Sequence, residues 1–277
     1  MSLALPLLLF AQAAPPIVPA PLPIPRKPSS AAPAVVAAAE PTRLQLCLQA
    51  VDESPLAAIE AAEEWLKVSK GATTAEPNHC LGMAYSRLGR SVEAEVAFTF
   101  ARDALPANEL RRRASYGALA AMAVLEQGDP ARAEAFFAAA AAEAQNSGDA
   151  RLAGDIAIDR ARAQVALKQN GAAEAGLAAA RLGSPDNPEG WLLSATLARR
   201  QGQLAEAQRF IEHAAVLAPR DPAVGLEAGV IAVLSGREEA ARRSWQSVIA
   251  VAPGTPWATT AQGYLDQLGP APAAEGR

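Results

Sequence analysis

The sequence predicts an all-α protein, an α-solenoid of about six stacked helix pairs closed by a C-terminal capping helix. Three observations carry that expectation. Half of the 277 residues are hydrophobic but only 5% are aromatic. The core therefore has to be filled by Ala, Leu and Val, which suits closely approaching helices better than a sheet rich in β-branched and aromatic side chains. Small and large apolar residues recur at matching offsets in three stretches, two of which begin 34 residues apart, at Pro188 and Pro222. Gly and Pro punctuate those copies: Gly89, Gly202 and Gly236 where turns are needed, Pro106, Pro219 and Pro253 where a second helix must stop.

At the N-terminus, "MSLALPLLLFAQAAPP" sets an apolar run from Leu3 to Phe10 ahead of Ala11 and Ala13, the small-x-small arrangement that precedes a signal-peptidase cut. Residues 1–13 are thus expected to be an export signal and the chain periplasmic or secreted, or cytoplasmic if the segment is not removed. The run lacks a preceding Lys or Arg and is shorter than the ~20 residues a spanning helix needs, so no stable membrane span is expected. Residues 14–41 are dense in Pro and Ala without an apolar face and predict an extended spacer.

Past Pro41 the composition changes. "LCLQAVDESPLAAIEAAEEWLKVSKG" predicts a degenerate first helix pair, with Cys47 and Leu48 aligning with Cys80 and Leu81 of the clearest copy. Counted from Ala75, that copy places Leu81 seventh, Gly82 eighth, Tyr85 eleventh, Gly89 fifteenth, Ala94 twentieth, Phe98 twenty-fourth, Ala101 twenty-seventh and Pro106 thirty-second. Gly82 and Ala94 let two antiparallel helices approach while Tyr85 and Phe98 fill the space around them. Two weaker copies follow, one carrying Gly128, Ala133, Phe137 and Ala140, the other "KQNGAAEAGLAAARLG", which parallels "RQGQLAEAQRFIEHAA". The longer spacing between them predicts an extended helix capped by Asp149. The copies from Pro188 and Pro222 repeat the frame through Trp191, Ala195, Ala207, Ile211 and Ala214, then Gly229, Ala241, Trp245 and Val248. "TPWATTAQGYLDQLG" predicts a closing helix from about Pro256 to Leu268, and residues 269–277 a disordered tail.

The spacing resembles the tetratricopeptide repeat (TPR) over residues 42–268. That resemblance implies a right-handed α-solenoid and a protein-binding or peptide-binding role. It also implies that the second, fifth, ninth, twelfth and thirteenth positions of each first helix face a concave groove. Carried over, those positions are Glu76, His79, Met83, Ser86 and Arg87; Glu189, Leu192, Thr196, Arg199 and Arg200; and Ala223, Leu226, Val230, Val233 and Leu234. The groove so described is basic near Arg87, Arg199 and Arg200 and apolar toward the C-terminus, which suits an acidic peptide segment beside an apolar anchor. The alternative is that these arginines are solvated or pair with neighbouring Glu and Asp. His79 and Met83 stand where the chaperone-tail-binding branch of the family has Lys and Asn, so that ligand is disfavoured.

Little else carries chemistry. The formal charge of -4 gives no overall attraction to nucleic acid, and no phosphate loop, H-E-x-x-H, G-x-S-x-G or paired C-x-x-C occurs. The chain reads as a non-enzyme without cofactor. A metal at Cys47, His79 and Cys80 would lack a fourth ligand. Two cysteines in an exported chain suggest a Cys47–Cys80 disulfide. Aligned repeat positions usually lie ~8 to 10 Å apart, however, beyond the roughly 7 Å that a bridge tolerates, so buried thiols remain the other outcome. Arg111, Arg112 and Arg113 form a cationic run at a helix start, read either as an anion or acidic-partner contact or as a solvated junction. The function expected is a scaffold that binds a protein or peptide in the bacterial envelope. The other reading is an accessory subunit of an envelope enzyme or polysaccharide assembly machine, with oligomeric state unspecified.

Overall fold

The computed structural model describes residues 40–269. The expected export signal, all but the last two residues of the expected spacer, and the tail after Gly269 lie outside the described residues. Thirteen α-helices and no strand occur among those described: α1 (Arg43–Glu53), α2 (Pro55–Val68), α3 (Ala75–Arg87), α4 (Ser91–Asp103), α5 (Leu110–Glu126), α6 (Pro130–Asn146), α7 (Ala150–Ala166), α8 (Asn170–Gly183), α9 (Pro188–Arg200), α10 (Leu204–Leu217), α11 (Pro222–Leu234), α12 (Glu238–Val251) and α13 (Pro256–Leu268). They make six antiparallel pairs and a closing helix, with one 3₁₀ turn at Gly71–Thr74.

The helix starts are written locally. Pro55, Pro130, Pro188, Pro222 and Pro256 occupy first positions where no amide is needed, and Asp129, Asp149, Asn187, Asp221 and Thr255 accept from first-turn amides. Thr42 and Gln45 form a reciprocal capping box at the start of α1. Asp149 caps the extended α7 through Leu152 N at 2.9 Å, as the sequence predicts.

Each of the five pairs from α3 onward is closed by one small and one large residue. A Cβ at Gly82 would meet the ring of Phe98 at 2.5 Å, and one at Gly229 would run into the Trp245 indole. Ala121 with Phe137, Ala161 with Leu177, and Ala195 with Ile211 repeat the arrangement as buried residues of common clusters. Burying each large side chain contributes ~1.5 to 3 kcal/mol. Between the helices of a pair the chain passes once through the left-handed region, at Gly89, Gly128, Gly202 and Gly236 with φ of 70°, 80°, 77° and 71°.

In the fourth pair the residue in that conformation is Lys168, at φ 61°. The side-by-side match of "KQNGAAEAG" with "RQGQLAEAQ" is therefore out by two residues: Lys168, not Asn170, stands where Gly202 stands. Ala173, Leu177 and Ala180 are buried as Ala207, Ile211 and Ala214 are.

Pairs stack so that α1 packs on α3, α5 on α7, α7 on α9, α9 on α11 and α11 on α13, while the even-numbered helices stand farther apart. The closer layer is the inner one, which places the odd-numbered helices on the concave side. No described helix is long and apolar enough to cross a membrane.

Candidate functional site

The concave layer is cross-linked by arginine–carboxylate pairs between successive repeats. Arg199 of α9 grips Glu227 of α11 through Nε at 2.6 Å and Nη2 at 3.2 Å. Arg162 of α7 reaches Glu189 of α9 at 2.7 Å and also pairs with Asp159, whose carboxyl is pushed up by burial while Arg162 acts the other way. The run Arg111–Arg113 is used in the same way. Arg111 pairs with Asp149 at 2.8 Å, Arg112 with Glu76 at 3.7 Å and Arg113 with Glu143 at 3.2 Å. Arg111, still exposed, and Arg112, half-buried, tie the third pair to its neighbours on either side, while Arg113 pairs with α6 of its own pair.

With Arg162 and Arg199 engaged, Arg200 is exposed at the end of α9, and no carboxylate of the described residues lies within ion-pair reach of it. It borders a cleft of about 420 Å³ between α7 and α9, walled by Val165, Leu193 and Leu197, with Arg162 and Thr196 also at its lining. The cleft is chiefly apolar with a cation at its rim.

Cys47 and Cys80 are joined by a disulfide, with Cα atoms 6.1 Å apart. That is closer than helix packing alone would set them. The bridge leaves no thiolate for a metal, and no group of three or more His, Cys, Asp or Glu among the described residues is placed to hold one.

No family model matches the sequence, and no curated protein matches it. Solved structures do match the fold. PilW, a widely conserved type IV pilus biogenesis factor, superposes with a TM-score of 0.64 at 19% identity over 79% of this chain and 98% of its own. PilF of Pseudomonas aeruginosa gives 0.62 at 14% identity over 80% and 95%. A Rap protein complexed with competence and sporulation factor gives 0.59 at 13% over 81% and 66%. The chain has the tetratricopeptide-repeat fold.

Within the TPR frame the carried-over groove residues divide. Thr196 and Arg200 meet at the α7–α9 cleft. Arg199 is consumed by Glu227 and holds two repeats together. Leu192 is a correction: it is buried in a core cluster with Ile211 and Val224, because the next repeat covers it. Leu226 and Val230 are partly buried against the cluster of Trp245 and Val248. Met83 packs beside the clusters of Cys80 and Phe98, while Arg87 is exposed.

His79 sits between α3 and α5 with its ring 4.9 Å from that of Tyr116. Its Nδ1 is buried without a hydrogen-bond partner, and burial, aided by the charge of Arg112, lowers its pKa to about 4. It is a neutral packing residue at ordinary pH.

Residues missed from the sequence are Arg162, Val165 and Leu193. The first two lie in α7, the helix whose repeat register is hidden by Lys168. A signal was present in the spacing from Lys168 to Ala173, which equals that from Gly202 to Ala207.

Proposed function

We propose that the chain is a non-enzymatic interaction module that binds a segment of a protein partner along its odd-helix face. An apolar side chain enters the α7–α9 cleft and an acidic group meets Arg200. The observation that carries this reading is the conjunction of an apolar cleft with an exposed, unengaged guanidinium, in a layer where Arg162 and Arg199 are paired internally. An exposed arginine beside a concave apolar pocket supplies anchor and orientation together. A Rap protein of the same fold, complexed with competence and sporulation factor, lends support to a binding role.

The compartment proposed is the bacterial periplasm or exterior. A fully formed disulfide favours an oxidising environment, and the apolar run Leu3–Phe10 before Ala11 and Ala13 fits an export signal. A second reading, an accessory subunit of an envelope assembly machine, draws support from the likeness to PilW, a pilus biogenesis factor. The test is site-specific photo-crosslinking from position 196 in the native cell. One partner is expected to crosslink, to be lost in Arg200→Glu and to persist in Arg87→Glu. Crosslinking unchanged by Arg200→Glu would move the binding surface elsewhere, and a stoichiometric enzyme as partner would favour the second reading.

A further inference from the structure

On the far side of the buried Leu177 and Leu197 lies a second cleft, between α8 and α10, of about 340 Å³. Its most unusual residue is Arg181. The half-buried arginines Arg102, Arg113, Arg160, Arg162 and Arg199 each reach a carboxylate. Arg181 is comparably enclosed, yet no carboxylate of the described residues lies within ion-pair distance of it.

Burying a guanidinium without a counter-charge is costly. Here that cost is offset in part by stacking: the guanidinium carbon stands 4.3 Å from the ring centroid of Phe210 and 5.4 Å from that of Trp191. Arg181 Nη1 donates to Ser194 Oγ, which itself donates to Gly190 O at 2.7 Å. Trp191 is braced in turn by His213, ring centroids 3.8 Å apart, and donates from Nε1 to Pro185 O at 2.9 Å.

One fork donor is thus spent and the plane is held by aromatic faces, while the residue lines an open cleft. A guanidinium has five N–H donors in a planar fork matched to a carboxylate. Seven residues before Arg181 on α8, or about 10 Å along the helix, Glu174 lines the other end, with Gln201, Gln203 and Glu206 nearby. Burial lowers the Arg181 pKa and Glu174 raises it, so the cleft's own acid only partly compensates the cation.

We propose that this cleft is a second binding site, on the even-helix side, for an acidic peptide segment whose carboxylate is gripped by the Arg181 fork and whose backbone amides lie along Gln201 and Gln203. Glu174 and Glu206 at the opposite end select against a second acid there, so the segment carries one acidic residue followed or preceded by neutral or basic ones. The site is independent of the α7–α9 cleft and stands or falls separately.

The test uses the full chain, nitrogen-15 labelled, titrated with acetyl-Ala-Ala-Glu-Ala-amide and with its Gln counterpart. The Trp191 indole and Arg181 Nε–H resonances are the reporters. Saturable shifts with the Glu peptide are expected, at least ten-fold weaker with the Gln peptide and in Arg181→Gln. The variant Arg181→Lys keeps the charge but not the fork, and should bind between the two while retaining the helical circular dichroism of the parent. No saturable shift, equal affinity for both peptides, or binding unchanged in Arg181→Gln and Arg181→Lys would overturn the proposal.

Discussion

At its N-terminal end the solenoid ties α1 to α3 through the Cys47–Cys80 bridge. At its C-terminal end, α13 is held without a covalent link. Arg242 donates to the carbonyl oxygens of Gly269 at 2.6 Å and Leu268 at 3.3 Å, and Tyr264 packs on Trp245 with centroids 5.0 Å apart. The difference follows from what each end inherits of the repeat. The last full pair keeps the small–large interlock, Gly229 against Trp245, so α13 docks on a well-formed surface. The first pair has lost it: α1 buries only Cys47 and Val51, and α2 buries Ala58, Ile59 and Ala62. In a solenoid each repeat is stabilised mainly by its neighbours, so an end pair with a thin core frays first. A covalent bond stands there in place of packing.

The largest expected effect breaks that bond. Closing a loop of 33 residues contributes ~4 kcal/mol in the chain-entropy model, less any strain. Cys47→Ser with Cys80→Ser should therefore remove the hydrogen-exchange protection of α1 and α2 while leaving α9–α13 protected as before. Equal loss at both ends would show that the molecule unfolds as one unit and that the two closures are not independent.

Next in size is a pH effect confined to the N-terminal half. His79 is held neutral in the fold with a pKa of about 4, against 6.5 when exposed. As pH falls, the unfolded chain takes up the proton first, so stability is lost between about 6.5 and 4 and is no longer lost below that. The full loss is about 3 kcal/mol. Denaturation of His79→Phe at pH 7 and pH 4.5 should show a smaller pH difference than the parent. An identical difference would assign the acid sensitivity to the carboxylates.

The C-terminal counterpart is Arg242→Met. It keeps the apolar stem of a buried side chain but removes the donors to the last carbonyls of α13, a favourable cation position at a helix C-terminus. A loss of about 2 kcal/mol, read as faster exchange in α13 with α1–α4 unchanged, is expected from unsatisfied carbonyls. Faster exchange at the N-terminal end instead would contradict separate closures.

How much of this was legible follows the same division. Where the interlock is intact, from Ala75 and from Pro188 onward, the helix starts at Ala75, Pro188, Pro222 and Pro256 could be read from the chain. Composition also limited the core to small residues. The groove was less legible because first-helix positions indicate direction, not what the next repeat lays over them. Leu192 has a groove-facing number and a buried environment because Val224 arrives from α11. Nor does sequence separate an exposed arginine from one that clamps: Arg199 and Arg200 are adjacent, and only the placement of Glu227 distinguishes them. The Arg111–Arg113 run conceals three partners at 30 or more positions' remove, none recoverable from local pattern.

The smallest effect asks whether the two ends communicate through the middle. Lys168 occupies the turn that Gly89, Gly128, Gly202 and Gly236 fill in the other pairs, in a left-handed conformation that costs a residue with a Cβ roughly 1 kcal/mol relative to Gly. Lys168→Gly relieves that strain but adds backbone entropy to the unfolded chain, so the net gain is expected to be below ~1 kcal/mol. The gain falls on the fourth pair, and nearest-neighbour coupling should pass it to the third and fifth. Exchange should therefore slow in α5–α10, and by less in α1 and α13. Slowing by the same factor in every helix would mean that the disulfide-closed end and the packed end belong to one cooperative unit. No slowing at all would mean that the surrounding hydrogen bonds, Lys168 N to Val165 O at 3.0 Å and Gln169 N to Gln164 O at 2.8 Å, already absorb the strain.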